Sequence, residues 1–177
     1  MRRPIILLTV FAGVIAASLA IARAVAARPQ LHDYMSEEEA GKIREAAAPA
    51  DRIKLYMAFA EDRLQKFEYE LNRNAPERNR SDVLNDLLRG YEGCMDDASD
   101  EIDDARRTQS DIKDALKLMD AKSKSFLSRL QKYSKNGRYL SDYSDTLQDA
   151  IDSTNDAVSD VADAQKTMLP AVVRRKK

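Results

Sequence analysis

One heptad pattern runs without a change of phase from residue 84 to residue 133, and it constrains the fold more than any other feature. Its positions follow each other at steps of four and three: Leu84, Leu88, Tyr91, Met95, Ala98, Ile102, Ala105, Gln109, Ile112, Leu116, Met119, Ser123, Phe126, Leu130 and Tyr133. Only Gln109 and Ser123 among them are polar. An apolar stripe of this length on a helix must be covered by partner helices. The pattern therefore predicts an all-α protein of long, packed helices.

Prolines and glycines divide the rest of the chain into helices. No proline lies between residues 77 and 169, and Gly137 is the only glycine after Gly93. Helices are predicted at about 36–48, 50–73, 81–135 and 138–169. Ser36 and Glu39 fit a capping box, Ser81 fits an N-cap, and Gly137 suits a left-handed C-cap.

Two arrangements of these helices are compatible with the sequence. A continuous helix over 81–135 would give a long antiparallel, coiled-coil-like hairpin, with 50–73 packed on its first half and 138–169 folded back on its second. A break near 108–110 would give a compact up-down four-helix bundle instead. Because a break would normally shift the heptad phase, and the phase is not shifted, the continuous helix is the expected form.

The distribution of charge supports the pairing of the last two segments. Residues 111–138 contain eight basic and three acidic side chains, whereas residues 141–165 contain seven aspartates and no basic residue. Opposite charges beside a helix seam select the partner helix. Each exposed pair contributes at most about 1 kcal/mol, so this charge pattern is expected to set specificity rather than stability.

The N-terminus predicts export. Arg2 and Arg3 precede an apolar run over 5–22, and residues 22–26 contain two A-x-A cleavage patterns. Residues 1–26 are therefore predicted to be a signal peptide; because the run just reaches spanning length, an uncleaved membrane anchor through residues 5–22 is the alternative. Residues 27–35 are then a linker, 36–169 the helical domain and 170–177 a basic tail. Either reading places the domain in the periplasm or outside the cell, held at the inner membrane if the leader is kept.

An acidic block within the heptad is the one candidate metal site. Its weak candidate ligands are Asp96, Asp97, Asp100, Glu101 and Asp104. Carboxylate oxygens suit Ca²⁺ or Mg²⁺, but the block lacks the glycine-containing loop of a calcium site, and a straight helix rarely surrounds a cation. A solvated acidic face without metal or cofactor is the prediction. A second acidic stripe, two positions past the last seam, is also expected to face outward; it comprises Asp142, Asp145, Asp149, Asp152, Asp156 and Asp163.

Two further groups of residues are candidate interaction sites. The first is the basic tail of Arg174, Arg175, Lys176 and Lys177. It is a solubilising tail, an electrostatic clip onto the acidic block, or a contact for an anionic envelope surface. The second is the predicted turn near Gly137, where Tyr133 and Tyr139 lie among lysine and arginine residues. Aromatic and cationic side chains together can bind sugars or acidic partners, although end-capping of the bundle explains the tyrosines as well.

Several classes of function lack the residues they need. His32 is the only histidine and lies in the linker, and Cys94 is the only cysteine. A di-iron bundle needs Glu-x-x-His pairs, and zinc sites, phosphate loops and nucleophile elbows also have no counterpart here. The formal net charge of −1 argues against nucleic-acid binding. An enzyme is therefore not predicted.

Two stretches resemble a group of uncharacterised bacterial exported helical proteins. The first is EEAGKIREAAAPADRIKLYMAFAEDRLQKFE at 38–68, and the second contains DIKDALKLMD and FLSRL after residue 110. The resemblance implies an exported helical body in a bacterium and carries no known activity. The predicted function is a non-enzymatic interaction or structural module of the cell envelope, acting through a protein partner or self-association. The alternative is a helical bundle that binds a metal ion or small ligand through residues 96–104.

Overall fold

The computed structural model describes residues 34–74 and 79–167; the leader 1–26, nearly all of the linker and the tail 170–177 lie outside the described residues. It contains α1 (Glu37–Glu45), α2 (Pro49–Asn72), α3 (Arg80–Thr108), α4 (Lys113–Asn136) and α5 (Ser144–Thr167), with a 3-10 turn at Leu140–Asp142. The all-α prediction is confirmed. None of the helices in 34–74 and 79–167 is long and apolar enough to cross a membrane.

The heptad is interrupted by a chain reversal at Gln109, so the expectation of one helix over 81–135 is wrong and the compact bundle with a break near 108–110 is the form found. Gln109 adopts the left-handed conformation with φ 53°, and the amide of Ser110 donates to the carbonyl of Ala105 at 2.9 Å. These bonds are typical of a Schellman-type helix end. Ile112 is buried again on the returning helix. The phase is preserved because the turn has the length that returns Ile112 to the core, and phase alone therefore cannot reveal the break.

The helices form two hairpins that pack side by side. As predicted, α2 packs against α3 and α5 against α4; in addition α2 lies beside α4, and α3 beside α5. The side-by-side helices are parallel, because the bonds Glu61–Lys122 and Glu68–Arg129 between α2 and α4 join residues 61 positions apart. Asn85 and Thr146, between α3 and α5, have the same separation. The second hairpin thus repeats the course of the first.

The predicted stripe is the core of this bundle. Phe67, Tyr91, Phe126 and Tyr143 are the largest fully buried rings, and they meet edge to face: Phe67 and Tyr143 at 5.3 Å between centroids, Tyr91 and Phe126 at 5.8 Å. Burial of one such side chain stabilises the fold by about 1.5–3 kcal/mol. The hydroxyl of Tyr91 is 2.7 Å from that of Thr154, which ties α3 to α5 inside the core.

Three predicted helix ends differ in the structure. The first helix ends at Glu45 rather than near residue 48, and Pro49 lies in the first turn of α2, where its missing amide is harmless. Asn79, not Ser81, precedes α3, and the Ser81 hydroxyl donates to the carbonyl of Asp142 at 2.9 Å. By contrast, the capping box of Ser36 and Glu39 is confirmed.

Gly137 ends α4 without the predicted left-handed conformation. Its φ is −67°, and Tyr139 takes the left-handed region instead, with φ 55°. A Cβ at residue 137 would overlap the hydroxyl of Tyr143 and the backbone oxygen of Tyr133. Glycine is therefore required here by the close approach of the buried tyrosine rather than by backbone conformation.

Candidate functional site

The segment 34–39, named the latch here, ties α1 to the bundle. Arg63 on α2 binds both carboxylate oxygens of Glu39 through its two terminal nitrogens, with Nη2 2.7 Å from Oε2. The same Nη2 donates to the backbone carbonyl of Tyr34 at 3.2 Å. The two charged side chains are only 11% and 16% exposed, which makes this bidentate pair one of the stronger polar contacts in the fold.

The ring of Tyr34 packs against α3 at Gly93. Its hydroxyl contacts the carboxylate of Asp97 and lies 2.9 Å from the carbonyl of Gly93, so both neighbours are acceptors. Burial, together with the hydrogen bond and negative charge of Asp97, raises the pKa of Tyr34 far above its usual range. The hydroxyl therefore stays protonated and serves as a donor.

Two glycines in the middle of α3 make room for the latch. A Cβ at Gly93 would overlap the ring of Tyr34, and one at Gly90 would come within 3.4 Å of Arg63 Cγ. Because glycine inside a helix costs roughly 0.5–1 kcal/mol relative to alanine, this space explains why the sequence carries them here. The name slot is used for the surface that receives the latch, formed by Gly90, Gly93, Cys94, Asp97 and Arg63.

Cys94 forms part of the slot and is chemically quiet. Its side chain is completely buried, and burial raises the pKa of its thiol to about 12. Thiolate is the reactive form of cysteine, so burial disfavours reaction of this thiol while the latch is in place.

The structure distributes the predicted acidic block over several partners. Asp97 belongs to the slot, while Glu101 and Asp104 bind Arg52 of α2, with 2.6 Å from Nε to Glu101 Oε1. Asp96 accepts a hydrogen bond from Ser153 at 2.7 Å, and Asp100 is exposed. Within residues 34–74 and 79–167, no group of three or more His, Cys, Asp or Glu side chains is placed to hold a metal ion.

The second acidic stripe lies on the outside of the bundle, mostly along α5. This surface is named the aspartate stripe: Asp142, Asp145, Asp149, Asp152, Asp156 and Asp163, all exposed. Among the described residues its one ion pair is Asp163 with Lys166 of the same helix, at 3.0 Å.

Among the described residues no cation of α4 forms an ion pair with this stripe, contrary to the charge-based expectation. Lys122 pairs with Glu61 at 2.6 Å and Arg129 with Glu68 at 2.7 Å, and both glutamates belong to α2. The pairing follows from the parallel packing of α2 beside α4, a neighbour relation that the sequence analysis did not include. Helices α4 and α5 do pack together, but through apolar contacts rather than these charges.

Further negative charges lie close together where α3 meets α5. Burial and the negative charges of Asp96 and Asp149 raise the pKa of Glu92. The side chain of Glu92 lies on α3, and that of Asp149 on α5. The acidic surface therefore continues from the aspartate stripe onto α3.

The two tyrosines predicted at the turn have different environments. Tyr133 is half-buried and packs edge to face on Phe67 at 5.7 Å, as an end cap would. Tyr139 is 45% exposed and lies between the guanidinium groups of Arg80 and Arg138, at 5.2 and 5.4 Å. The basic tail Arg174, Arg175, Lys176 and Lys177 is outside the described residues.

Sequence reasoning missed the slot and the latch. The available signals were the two glycines inside a helical pattern and a tyrosine two residues before the capping box, but nothing in the sequence places Arg63 beside them. Comparison of the chain with protein-family models, curated proteins and solved structures finds no match.

Proposed function

We propose that this protein is an exported, non-enzymatic interaction module of the cell envelope, with the aspartate stripe as its recognition surface. The supporting observation is that the stripe receives no cation from another helix of the described bundle, although α4 beside it is rich in lysine and arginine. A cationic partner protein is the complement that such a surface selects.

The stripe works against the stability of α5. Aspartates three or four positions apart on one helix repel each other, at a cost of about 0.2–0.5 kcal/mol for each pair. Asp145, Asp149, Asp152 and Asp156 have this spacing. Among the described residues the aspartate stripe forms no ion pair with another helix, and its repulsion weakens α5. Binding to a partner outside the chain would explain why the stripe is present.

The buried polar groups support a role without catalysis. Tyr34 and Cys94 are held in their protonated forms by burial. Arg52 and Arg63 are engaged by carboxylates that tie α1, α2 and α3 together. These groups serve the fold, and the exposed charges are left for recognition.

A charge-neutral variant tests the recognition surface. The full chain carrying Asp149→Asn, Asp152→Asn and Asp156→Asn would be purified with its cross-linked partners from cells that produce it. We expect cationic partners of the wild-type chain to be lost, because neutral amides remove the attraction. Raising the salt concentration should weaken the wild-type complex, since exposed charges are screened.

The matched control is Asp51→Asn, Asp114→Asn and Asp120→Asn. These three aspartates each pair with a lysine of their own helix, on α2 and α4. The control has the same change in net charge and should keep the partners. Equal loss from both variants, or retention by both, would contradict a specific role of the stripe.

Export is tested separately, by cell fractionation and by sequencing the N-terminus of the mature chain. We expect the protein in the envelope or outside the cell, beginning after Ala24 or Ala26 if the leader is cleaved, and intact at the membrane if it is an anchor. A cytosolic full-length chain would refute the export proposal and leave the test of the stripe unaffected.

A further inference from the structure

The attachment of α1 is concentrated in the latch. Ala40 is the one buried side chain of this nine-residue helix, and within the described residues α1 packs against α2. Met35 and Ile43 are partly buried against the core. The polar contacts of Tyr34 and Glu39 therefore carry most of the specific recognition between this segment and the bundle.

The connection from α1 to α2 suits a change of direction. Ala46 and Ala48 are both in extended conformation, with ψ 106° and 141°, and Pro49 fixes the start of α2. The polar contacts that hold the connection in its present course are two long hydrogen bonds from Arg52 Nη1, to the carbonyls of Ala46 at 3.2 Å and Ala47 at 3.5 Å. A change of direction has to break these two bonds. Rotation at Ala46 and Ala48 would turn α1 away from the bundle while α2 stays in place.

The slot has the properties of a peptide-binding site. Asp97 and the carbonyl of Gly93 accept from a phenol, and Arg63 binds a carboxylate five residues further along the same peptide. The glycines admit the aromatic ring at the helix backbone. The ligand class is thus a peptide with tyrosine followed by a glutamate at the start of a helix.

We propose that the latch is exchangeable between copies of this chain, so that residues 34–39 of a second copy occupy the slot. The second copy is the occupant that the chemistry selects, because its segment has the same tyrosine, capping box and glutamate. Exchange recreates each of these latch contacts between chains. The remaining cost is the entropy of association together with the hydrogen bonds from Arg52 to the connecting carbonyls. The proposal does not depend on the role of the aspartate stripe.

Cys94 provides the test, since it is the only thiol and lies in the slot. In the full-length variant Tyr34→Ala, Glu39→Ala the slot is empty. We expect a thiol reagent to modify Cys94 at least about tenfold faster than in the wild type, because the latch no longer covers it; a tenfold change corresponds to about 1.4 kcal/mol of local opening free energy. Circular dichroism should show that the bundle is intact.

A synthetic peptide of residues 33–46 should then restore protection of Cys94 in this variant. The matched control is the same peptide with alanine replacing Tyr34 and Glu39, which should leave the rate unchanged. If the native peptide gives no protection at millimolar concentration, the slot is not a peptide-binding site and the proposal is refuted.

A second experiment covers the case in which the variant fails to fold. The wild-type full chain would be mixed with the fluorescently labelled native peptide and, separately, concentrated and examined by light scattering. Exchange predicts a slow rise of peptide anisotropy and a dimer whose fraction grows with concentration. A chain that stays monomeric and does not take up the peptide over days would overturn the proposal.

Discussion

Arg63 on α2 and Glu39 on α1 form a bidentate ion pair across 24 positions of the sequence. The same carboxylate accepts the backbone amide of Ser36 at 2.9 Å. One side chain therefore closes the first turn of α1 and fixes the helix to the bundle. Loss of the negative charge of Glu39 should therefore weaken the first turn of α1 and its attachment to the bundle at once.

Acid should release α1 before it unfolds the bundle. The hydrogen bonds from Arg63, opposed by burial and aided by Ser36, lower the pKa of Glu39 to about 2. A carboxyl with a lowered pKa stabilises the fold fully above its ordinary value of 4.5, and this stability is lost as the pH falls toward 2. Hydrogen exchange of α1 amides, corrected for intrinsic rates, should reveal a loss on the order of 2 kcal/mol over this range.

The variants Glu39→Gln and Glu38→Gln separate this effect from general acid sensitivity. Glu39→Gln should already exchange rapidly at neutral pH and change little on acidification. Glu38 pairs with Lys42 in an exposed position, so its variant should behave like the wild type. Identical pH profiles for the wild type and Glu39→Gln would contradict the assignment.

Ser123→Ala should stabilise the protein. Ser123 is fully buried, and its hydroxyl has no hydrogen-bond partner in the described structure. Removing a buried, unsatisfied hydroxyl and gaining helix propensity should raise the free energy of unfolding by about 1–2 kcal/mol. Urea denaturation measures this, with exposed Ser125→Ala on the same helix as the control for propensity alone. An equal gain at both positions would show that the buried hydroxyl costs nothing.

Gln109→Gly should also raise stability. Gln109 holds the left-handed conformation at the end of α3, which costs a residue with a Cβ about 1–2 kcal/mol and glycine nothing. The larger flexibility of glycine in the unfolded chain offsets part of this, so the expected gain is about 0.5–1 kcal/mol. Thr108→Gly, one residue earlier in helical conformation, should destabilise instead. Thermal unfolding of Gln109→Gly and Thr108→Gly measures both effects, and a loss of stability in Gln109→Gly would contradict the prediction.

Alanine at two glycines should have opposite effects. At Gly137 the added methyl would overlap the Tyr143 hydroxyl and the backbone of α4, so we expect a loss of about 1–3 kcal/mol. At Gly41 in α1 the nearest atom is Arg44 Nη2 at 4.0 Å, and alanine should strengthen the helix by up to about 1 kcal/mol. Chemical denaturation should measure the effect of Gly137→Ala. Hydrogen exchange of the α1 amides should measure that of Gly41→Ala. A tolerated Gly137→Ala would mean that Tyr143 can move aside.

Removing the hydroxyl of Tyr91 should cost less than removing that of Thr154. Tyr91→Phe leaves Thr154 donating to the carbonyl of Ala150 at 2.6 Å, so the free energy of unfolding should fall by about 1 kcal/mol. Thr154→Val leaves the buried Tyr91 hydroxyl without its acceptor, so we expect the free energy of unfolding to fall by about 1–3 kcal/mol. In the double variant the loss should be smaller than the sum, as a double-mutant cycle by urea denaturation would show. Strict additivity would contradict a direct bond.

The heptad predicted the core well because burial follows periodicity. Leu84, Tyr91 and Ile102 are in the core as their spacing requires. The chain reversal at Gln109 was predicted only as an alternative, because the turn keeps the phase of the stripe. The contact between latch and slot was not predicted at all, since it joins Tyr34, Arg63 and Asp97 from three distant parts of the chain.

The sequence by itself determined that the chain is helical, which positions are apolar enough to be buried, and that residues 141–165 carry seven aspartates and no basic residue. Those properties are local and can be read from spacing and composition. Only the tertiary structure decided that α4 pairs its cations with α2, that Asp97 faces Tyr34 while Asp100 faces water, and that Gly93 makes room for a ring. The reason is physical: hydrogen bonds and ion pairs act over a few ångströms, and which residues come that close depends on how the hairpins pack.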